Sequence, residues 1–213
     1  FTVIRDEAPV LRDGESSPLL KAKSYRERLE IQSKTPQTEN VGLPNQGTNL
    51  VWYINNSSNG LPTVAGFGEP ATDFATPDDF DGDGKDDIAV WRGVAATGPN
   101  GGFFFILNSS DMTIDQIDFG VQGDDPTIVG DYDGDGSADP AVFRCGVTDG
   151  QCFFYYKGSA GMGEITFVPW GFGSIFSVFP NAGDFDGDGK YDFCVQTDNP
   201  DAPGQGLFSL YRS

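Results

Sequence analysis

The sequence of 213 residues contains no histidine, and it has only 13 lysine and arginine residues against 32 aspartate and glutamate residues. Without histidine, Ser–His and Cys–His nucleophilic catalysis, histidine acid–base catalysis and His-ligated zinc are excluded. A protein that binds a phosphate backbone needs clustered basic side chains, so the net charge of −19 argues against nucleic acid as a partner. No apolar run approaches the roughly 18 residues of a membrane-spanning helix, so we expect no membrane span.

The charge is unevenly distributed along the chain. Residues 1–40 contain seven basic and seven acidic residues, whereas residues 41–213 contain six basic and 25 acidic ones. Pro44, Asn45 and Gly47 have the composition of a linker between the two regions. We therefore divide the chain into an N-terminal arm and linker, residues 1–48, that is expected to bind a partner, and a second region, residues 49–213.

The second region contains a repeat of about 52 residues. Three segments match closely: DFDGDGKDDIAVWR from Asp79, DYDGDGSADPAVFR from Asp131 and DFDGDGKYDFCVQT from Asp184. Two further landmarks recur with them. A Phe-Gly pair precedes each segment by 12 residues, at Phe67-Gly68, Phe119-Gly120 and Phe172-Gly173. Aromatic-rich runs align at residues 52–58, 104–110, 153–159 and 207–213.

Each repeat is predicted to form four antiparallel strands. Strand A leads into the Asp-rich segment, as in Pro126–Tyr132, and strand B leaves it, as in Ile88–Arg92 and Ala141–Arg144. Strand C is the aromatic run, and strand D ends at Phe-Gly, as in Thr113–Phe119 and Ile165–Phe172. The count is thirteen strands over residues 49–213. Four-stranded repeats of this length predict an all-β fold of β-propeller-type blades, to which the N-terminal arm is attached.

Each Asp-rich segment begins with a nine-residue Asp loop, which spans residues 79–87, 131–139 and 184–192. Acidic residues occupy positions 1, 3, 5 and 9 of each loop, and glycine at position 6 permits a sharp turn. Position 7 offers a backbone carbonyl whatever its side chain. The candidate metal ligands are therefore Asp79, Asp81, Asp83, Lys85, Asp87, Asp131, Asp133, Asp135, Ser137, Asp139, Asp184, Asp186, Asp188, Lys190 and Asp192.

Crowded carboxylates repel one another unless a cation lies between them, and flexible sets of oxygen ligands favour calcium over magnesium. We therefore expect about three calcium ions; the alternative is three Asp-Gly turns that bind no metal. An EF-hand is excluded because it needs glutamate at position 12, where this chain has Val90, Val142 and Val195, and because residues typical of strands follow each loop.

The three Asp loops with their Phe-Gly pairs resemble the FG-GAP family, which is related to the calcium-binding blades of integrin α subunits and to VCBS-type repeats of bacterial surface proteins. The resemblance covers residues 49–213 and implies a β-propeller with calcium in the loops between strands A and B. It also implies a secreted or surface-exposed protein. Members of the family act in adhesion, sugar chemistry and assembly, so the fold does not determine the function.

Two of the three cysteines are predicted to form a disulfide. Cys145 follows strand B and Cys152 begins strand C of the same repeat, so a hairpin would place them side by side. A reduced pair is the alternative. Cys194 aligns with Ala89 and Ala141, which predicts a buried, unreactive thiol.

Other residues allow both a structural and a functional interpretation. The aromatic runs, with Trp52, Trp91 and Trp170, are expected to form the core between repeats, and a sugar-binding platform is the alternative. Asp124-Asp125 is expected to be a solvated loop rather than a catalytic pair.

We expect a non-catalytic, calcium-stabilised extracellular or cell-surface module for adhesion or subunit assembly. Its expected partners are other copies of itself or another surface protein, and the alternative is a secreted carbohydrate-binding or carbohydrate-active protein. Phe1–Ile4 has the pattern of a strand and Leu19–Ile31 that of a short helix. Residues 1–11 could complete a repeat of the same chain or of a neighbouring copy, which would link subunits head to tail, or the chain could be a fragment of a longer propeller.

Overall fold

The computed structural model describes residues 49–94, 101–146, 150–159, 163–173, 177–202 and 204–213. Within these ranges the chain forms twelve β-strands and no helix. The strands are β1 (Val51–Asn55), β2 (Pro62–Gly66), β3 (Asp73–Ala75), β4 (Ile88–Gly93), β5 (Gly102–Leu107), β6 (Ile114–Asp118), β7 (Ala141–Cys145), β8 (Gln151–Lys157), β9 (Ile165–Phe172), β10 (Val178–Gly183), β11 (Asp192–Asp198) and β12 (Gly206–Tyr211).

The strands form four sheets in chain order, and every pair of neighbours is antiparallel. The first sheet is β1-β2, the second β3-β4-β5-β6, the third β7-β8-β9 and the fourth β10-β11-β12. The expected all-β, antiparallel class is confirmed for the described residues. No segment among them is a helix long and apolar enough to cross a membrane. The strand, the helix and the strand completion predicted for residues 1–48 lie outside the described residues.

Strands B, C and D occur in the described ranges as often as predicted, but strand A of the third sheet does not form. The prediction of a strand over Pro126–Tyr132 was wrong: only isolated bridges occur there, from Asp125 to Phe143 and from Gly130 to Asp139. The Asp125 carboxylate accepts hydrogen bonds from the N–H and hydroxyl of Thr127, which turns the chain between the bridges.

The alignment of the aromatic runs was wrong by one residue between the second and the third copy. Strand pairing places Phe104 opposite Trp91, Phe154 opposite Phe143 and Phe208 opposite Gln196. Phe104 is therefore equivalent to Phe154 and Phe208, whereas the sequence alignment matched it with Phe153 and Leu207. A shift of one residue moves every side chain to the other face of a strand.

The third Phe-Gly pair was also assigned to the wrong residues. Three glycines pack in the same way against the strand B valine of the next sheet: Gly68 against Val90, Gly120 against Val142 and Gly171 against Val195. The equivalent of the first two pairs is thus Trp170-Gly171, while Phe172 is 71% exposed. An irregularity in the pairing of β8 with β9 accounts for the longer strand.

The hydrophobic core lies between successive sheets. Trp91 and Phe104 of the second sheet pack with Val142 of the third, and Phe143 and Phe154 of the third pack with residues of the fourth. Trp91 is fully buried, as expected, and its indole N–H donates to the carbonyl of Phe119. The second and third sheets therefore each bury one face against the sheet that follows.

Two ion pairs with buried carboxylates link strand B to the chain that lies opposite it, at Asp73, the first residue of β3, and at Asp124, which follows β6. The Arg92 guanidinium donates to both carboxylate oxygens of Asp73, at 2.6 and 2.9 Å, and Arg144 does the same to Asp124, at 2.6 and 2.7 Å. Asp124 and Asp125 are buried, so the expectation of a solvated loop was wrong. In the fourth sheet Val178 lies opposite Thr197 at the equivalent positions, so no ion pair forms there.

The fourth sheet suggests a test of the ion pair. We expect Arg144→Thr to lower the free energy of unfolding by about 2 kcal/mol, because the buried Asp124 carboxylate loses its guanidinium partner while it keeps the N–H of Val121. Asp124→Val/Arg144→Thr reproduces the Val–Thr combination of the fourth sheet and removes the charge together with its partner. Urea unfolding should then give a loss smaller than the sum of the two single substitutions. Additive losses would contradict an energetically coupled pair.

Cys145 and Cys152 lie opposite each other in the β7–β8 hairpin and are joined in a disulfide. Cys194 is a free, buried cysteine opposite Leu210, the position that Ala89 and Ala141 occupy in their own sheets. Burial raises the pKa of its thiol, so the reactive thiolate is disfavoured.

The disulfide is tested by counting thiols. Protein that is unfolded without reductant should show one reactive thiol per chain, that of Cys194. Reduction should lower the free energy of unfolding because the unfolded chain is no longer cross-linked, and the short loop that the disulfide closes sets this loss at about 2.5 kcal/mol. Three thiols per chain would contradict the bond, and Cys194→Ala should then leave two.

Candidate metal centre

The three Asp loops lie at the same end of strand B in successive sheets, directly before or at the start of β4, β7 and β11. In each loop, the carboxylate at position 1 accepts backbone N–H groups from the turn that follows. Asp131 accepts from Gly134, Asp135 and Gly136 at 2.6–3.2 Å. Asp79 and Asp184 accept from the corresponding turns. These bonds close the loop around its first carboxylate and lower the pKa of Asp184.

The glycine at position 6 makes this turn possible. Gly84, Gly136 and Gly189 have φ of +84°, +91° and +91°, in the left-handed region that other residues rarely adopt. Their N–H groups each point at the position 1 carboxylate.

The carboxylate at position 9 is buried in all three loops and joins two parts of its sheet. In the second loop, Asp139 Oδ2 accepts the N–H of Tyr132 at 3.0 Å, and its Oδ1 accepts the N–H of Ser159 at 2.7 Å. Asp87 and Asp192 repeat both contacts, with the N–H groups of Phe80, Ser109, Phe185 and Ser213. Position 9 therefore ties the start of its loop to the end of strand C.

The structure brings positions 1, 3 and 9 of each loop together. In each group, one carboxylate oxygen per residue lies within 4.8 Å of the others. The groups are Asp79, Asp81 and Asp87; Asp131, Asp133 and Asp139; and Asp184, Asp186 and Asp192.

Position 5 lies outside these groups. Asp83 forms an ion pair with the Lys85 ammonium at 2.6 Å, and Asp135 accepts the hydroxyl of Ser159 at 3.0 Å. Asp188 accepts the N–H of Lys190 at 2.9 Å, and the same bond from position 7 occurs in the other two loops. In the described structure the side chain at position 5 is thus held by partners outside these groups, and the pKa of Asp83 is lowered mainly by Lys85.

Burial disfavours the ionised form of two of the position 9 carboxylates, those of Asp87 and Asp139. Loss of hydration raises the pKa of Asp139 to about 6 and raises that of Asp87 as well, although backbone N–H groups oppose the shift. A cation between positions 1, 3 and 9 would favour the ionised form.

The donor set fits a hard divalent cation. Each group offers only carboxylate oxygens, from two exposed or partly exposed residues and one buried residue at the base. Without nitrogen or sulfur donors such a site suits calcium, magnesium or manganese better than zinc or copper.

The serine that follows strand C is a site residue that sequence reasoning missed. Ser109, Ser159 and Ser213 each donate an N–H to the position 9 carboxylate, and Ser110 donates its hydroxyl to Asp81 at 2.6 Å. The sequence did contain a signal, because serine ends every aromatic run. The contact is made by the backbone N–H, however, so it does not require serine and gives a sequence motif no reason to single this residue out.

Comparisons of this chain with protein-family models, with curated proteins and with solved structures gave no match. The chemistry of the three loops is therefore the ground on which a function can be proposed.

Proposed function

We propose that residues 49–213 are part of a calcium-stabilised β-propeller of the FG-GAP type. In this proposal they form a non-catalytic extracellular or cell-surface module for adhesion or subunit assembly. The observation that carries the proposal is the threefold recurrence of carboxylate oxygens gathered within 4.8 Å around a buried aspartate. A plain Asp-Gly turn needs no buried carboxylate at its base.

The proposed ligands are the carboxylates at positions 1, 3 and 9, with the position 5 carboxylate and the position 7 carbonyl completing the shell. Bound calcium supplies positive charge between carboxylates that would otherwise repel one another. The flexible, irregular oxygen set favours calcium over magnesium, which requires a stricter octahedron. The position 1 carboxylate holds the turn, and the position 9 carboxylate connects the site to strand C.

The proposed location follows from mass action. Extracellular modules bind calcium with dissociation constants on the order of 0.1–1 mM. At roughly 1 mM free calcium each site then adds about 0.4–1.4 kcal/mol of stability. Cytosolic calcium is far too low to fill such sites. The Cys145–Cys152 disulfide also suits an oxidising compartment.

Support for assembly comes from the outer face of the fourth sheet. Phe208 and Leu210 occupy the positions at which Phe104 and Ile106 of the second sheet are buried, but they are 62% and 38% exposed. No described residue covers them. An apolar face of this kind fits a protein partner, either another copy of the chain or another surface protein.

A calcium chelator should lower the melting temperature by several degrees, and added calcium should restore it, because three sites together contribute about 1–4 kcal/mol. Asp186→Asn should remove about one third of the calcium-dependent rise. Asp201→Asn, outside the loops, is the matched control and should keep all of it. Equal melting curves with and without chelator would reject the calcium proposal.

A second candidate, carbohydrate binding, is favoured by an aromatic cluster on the third sheet. Phe167 is 61% exposed, and its ring centroid lies 6.2 Å from those of both Phe153 and Tyr155. Exposed aromatic rings present flat apolar faces that can stack on sugar rings.

One pair of measurements separates the two candidates. Assembly predicts that Phe208→Ser/Leu210→Ser weakens self-association in light scattering or binding to a surface partner, while Phe167→Ser does not. Carbohydrate binding predicts a signal on a glycan array that Phe167→Ser abolishes. A glycan signal that survives Phe208→Ser/Leu210→Ser and is lost in Phe167→Ser would favour the second candidate over the first.

A further inference from the structure

Successive Asp loops are joined by a backbone hydrogen bond that recurs at the same positions. The N–H of Ala138, position 8 of the second loop, donates to the carbonyl of Asp79, position 1 of the first, at 2.7 Å. The N–H of Tyr191 in the third loop donates to the carbonyl of Asp131 in the second, also at 2.7 Å. Each bond therefore joins two loops. Its donor is the residue directly before position 9 of the later loop, and its acceptor is the position 1 residue of the earlier loop.

Side chains at these contacts are complementary in size. Tyr191 lies directly on Gly130, where an added Cβ atom would come within 1.9 Å of the tyrosine ring. The equivalent pair between the first two loops is Ala138 with Asp78, since the bridge of Asp78 to Asp87 matches that of Gly130 to Asp139. The large Tyr191 thus corresponds to the small Ala138, and Gly130 corresponds to Asp78.

A third contact repeats in the same register. The side chain at position 7 of the later loop lies on the glycine at position 4 of the earlier one. Ser137 Oγ would lie 2.8 Å from a Cβ added to Gly82, and the Lys190 side chain 2.9 Å from one added to Gly134. Two glycines therefore allow each loop to approach the next closely, and the main chains of the three loops form one continuous contact.

From these contacts we propose that the three loops bind calcium cooperatively, because a cation that orders one loop also orders the main chain of its neighbour. This inference rests on the calcium binding proposed above. The carbonyl that accepts the inter-loop bond belongs to a proposed ligand, so fixing that residue fixes the acceptor. A loop that is already held by its neighbour loses less conformational entropy when it binds its own cation.

Electrostatic repulsion between bound ions opposes this coupling, because an ion in one site makes the potential at the next site less negative. Each group contributes three carboxylates, so a site that holds one divalent cation keeps a negative net charge. A filled site therefore still has a negative charge, and salt screens the repulsion between the ions over about 8 Å. The ordering of the shared main chain has to exceed the repulsion that remains.

The test is a calcium titration of the whole chain, monitored by isothermal titration calorimetry. Wild-type protein should bind three ions with a Hill coefficient clearly above 1, since couplings between sites are typically about 5- to 150-fold in affinity. Gly130→Ala forces the second and third loops apart and should reduce the Hill coefficient while three ions still bind. Gly183→Ala is the matched control, because an alanine there meets only Phe185 at an ordinary 3.6 Å.

A second variant keeps the inference testable if Gly130→Ala does not fold. Asp133→Asn disables the middle site, so coupled loops predict weaker binding at both outer sites, and independent loops predict unchanged affinities there. Three independent sites in the wild type, or outer sites unaffected by Asp133→Asn, would overturn cooperativity and leave the calcium proposal intact. No calcium binding at all would overturn both.

Discussion

The described structure depends on three carboxylates that are removed from water, those of Asp87, Asp139 and Asp192. Each one receives an N–H from the second residue of its loop and another from the serine after strand C. The loop, strand B and strand C therefore meet at one buried negative charge. Two neutral donors do not replace the lost hydration of an ion, and a cation in the loop is the simplest compensation that this donor set allows.

The same solution is applied three times, and the repeats are joined in the same way each time. A sheet buries one face against the next sheet, and a glycine packs against the strand B valine of that next sheet. A backbone N–H of an Asp loop donates a hydrogen bond to a carbonyl of the loop before it. Because each sheet contacts its neighbours in sequence, stability is expected to be a sum of repeat terms and nearest-neighbour interface terms. Anything that orders one repeat then stabilises the adjacent ones, which connects the chemistry of a loop to the packing of the core.

Much of this arrangement could be predicted from the sequence, because the loops, the aromatic runs and the period all recur. Strands B, C and D follow from runs of residues that are typical of strands, and the Asp loops follow from the spacing of their acidic residues. The misassigned details have physical causes. Where several aromatic residues follow one another, an alignment of the sequences cannot reveal a shift of one residue. The irregular pairing beside Gln151 changes the spacing of the third repeat, so that Gly171 is the equivalent of Gly68 and Gly120. The ion pair between Asp124 and Arg144 was missed because its partners are 20 residues apart and Asp124 lies outside the repeated segment that ends at Arg144.

The central claim is that divalent cations neutralise the three loops, and a crystal structure with calcium measures this most directly through anomalous scattering. The account predicts three anomalous peaks, each roughly 2.3–2.6 Å from carboxylate oxygens at positions 1, 3 and 9 of one loop. Loops of unchanged conformation without a peak, or position 9 carboxylates turned away from positions 1 and 3, would contradict it.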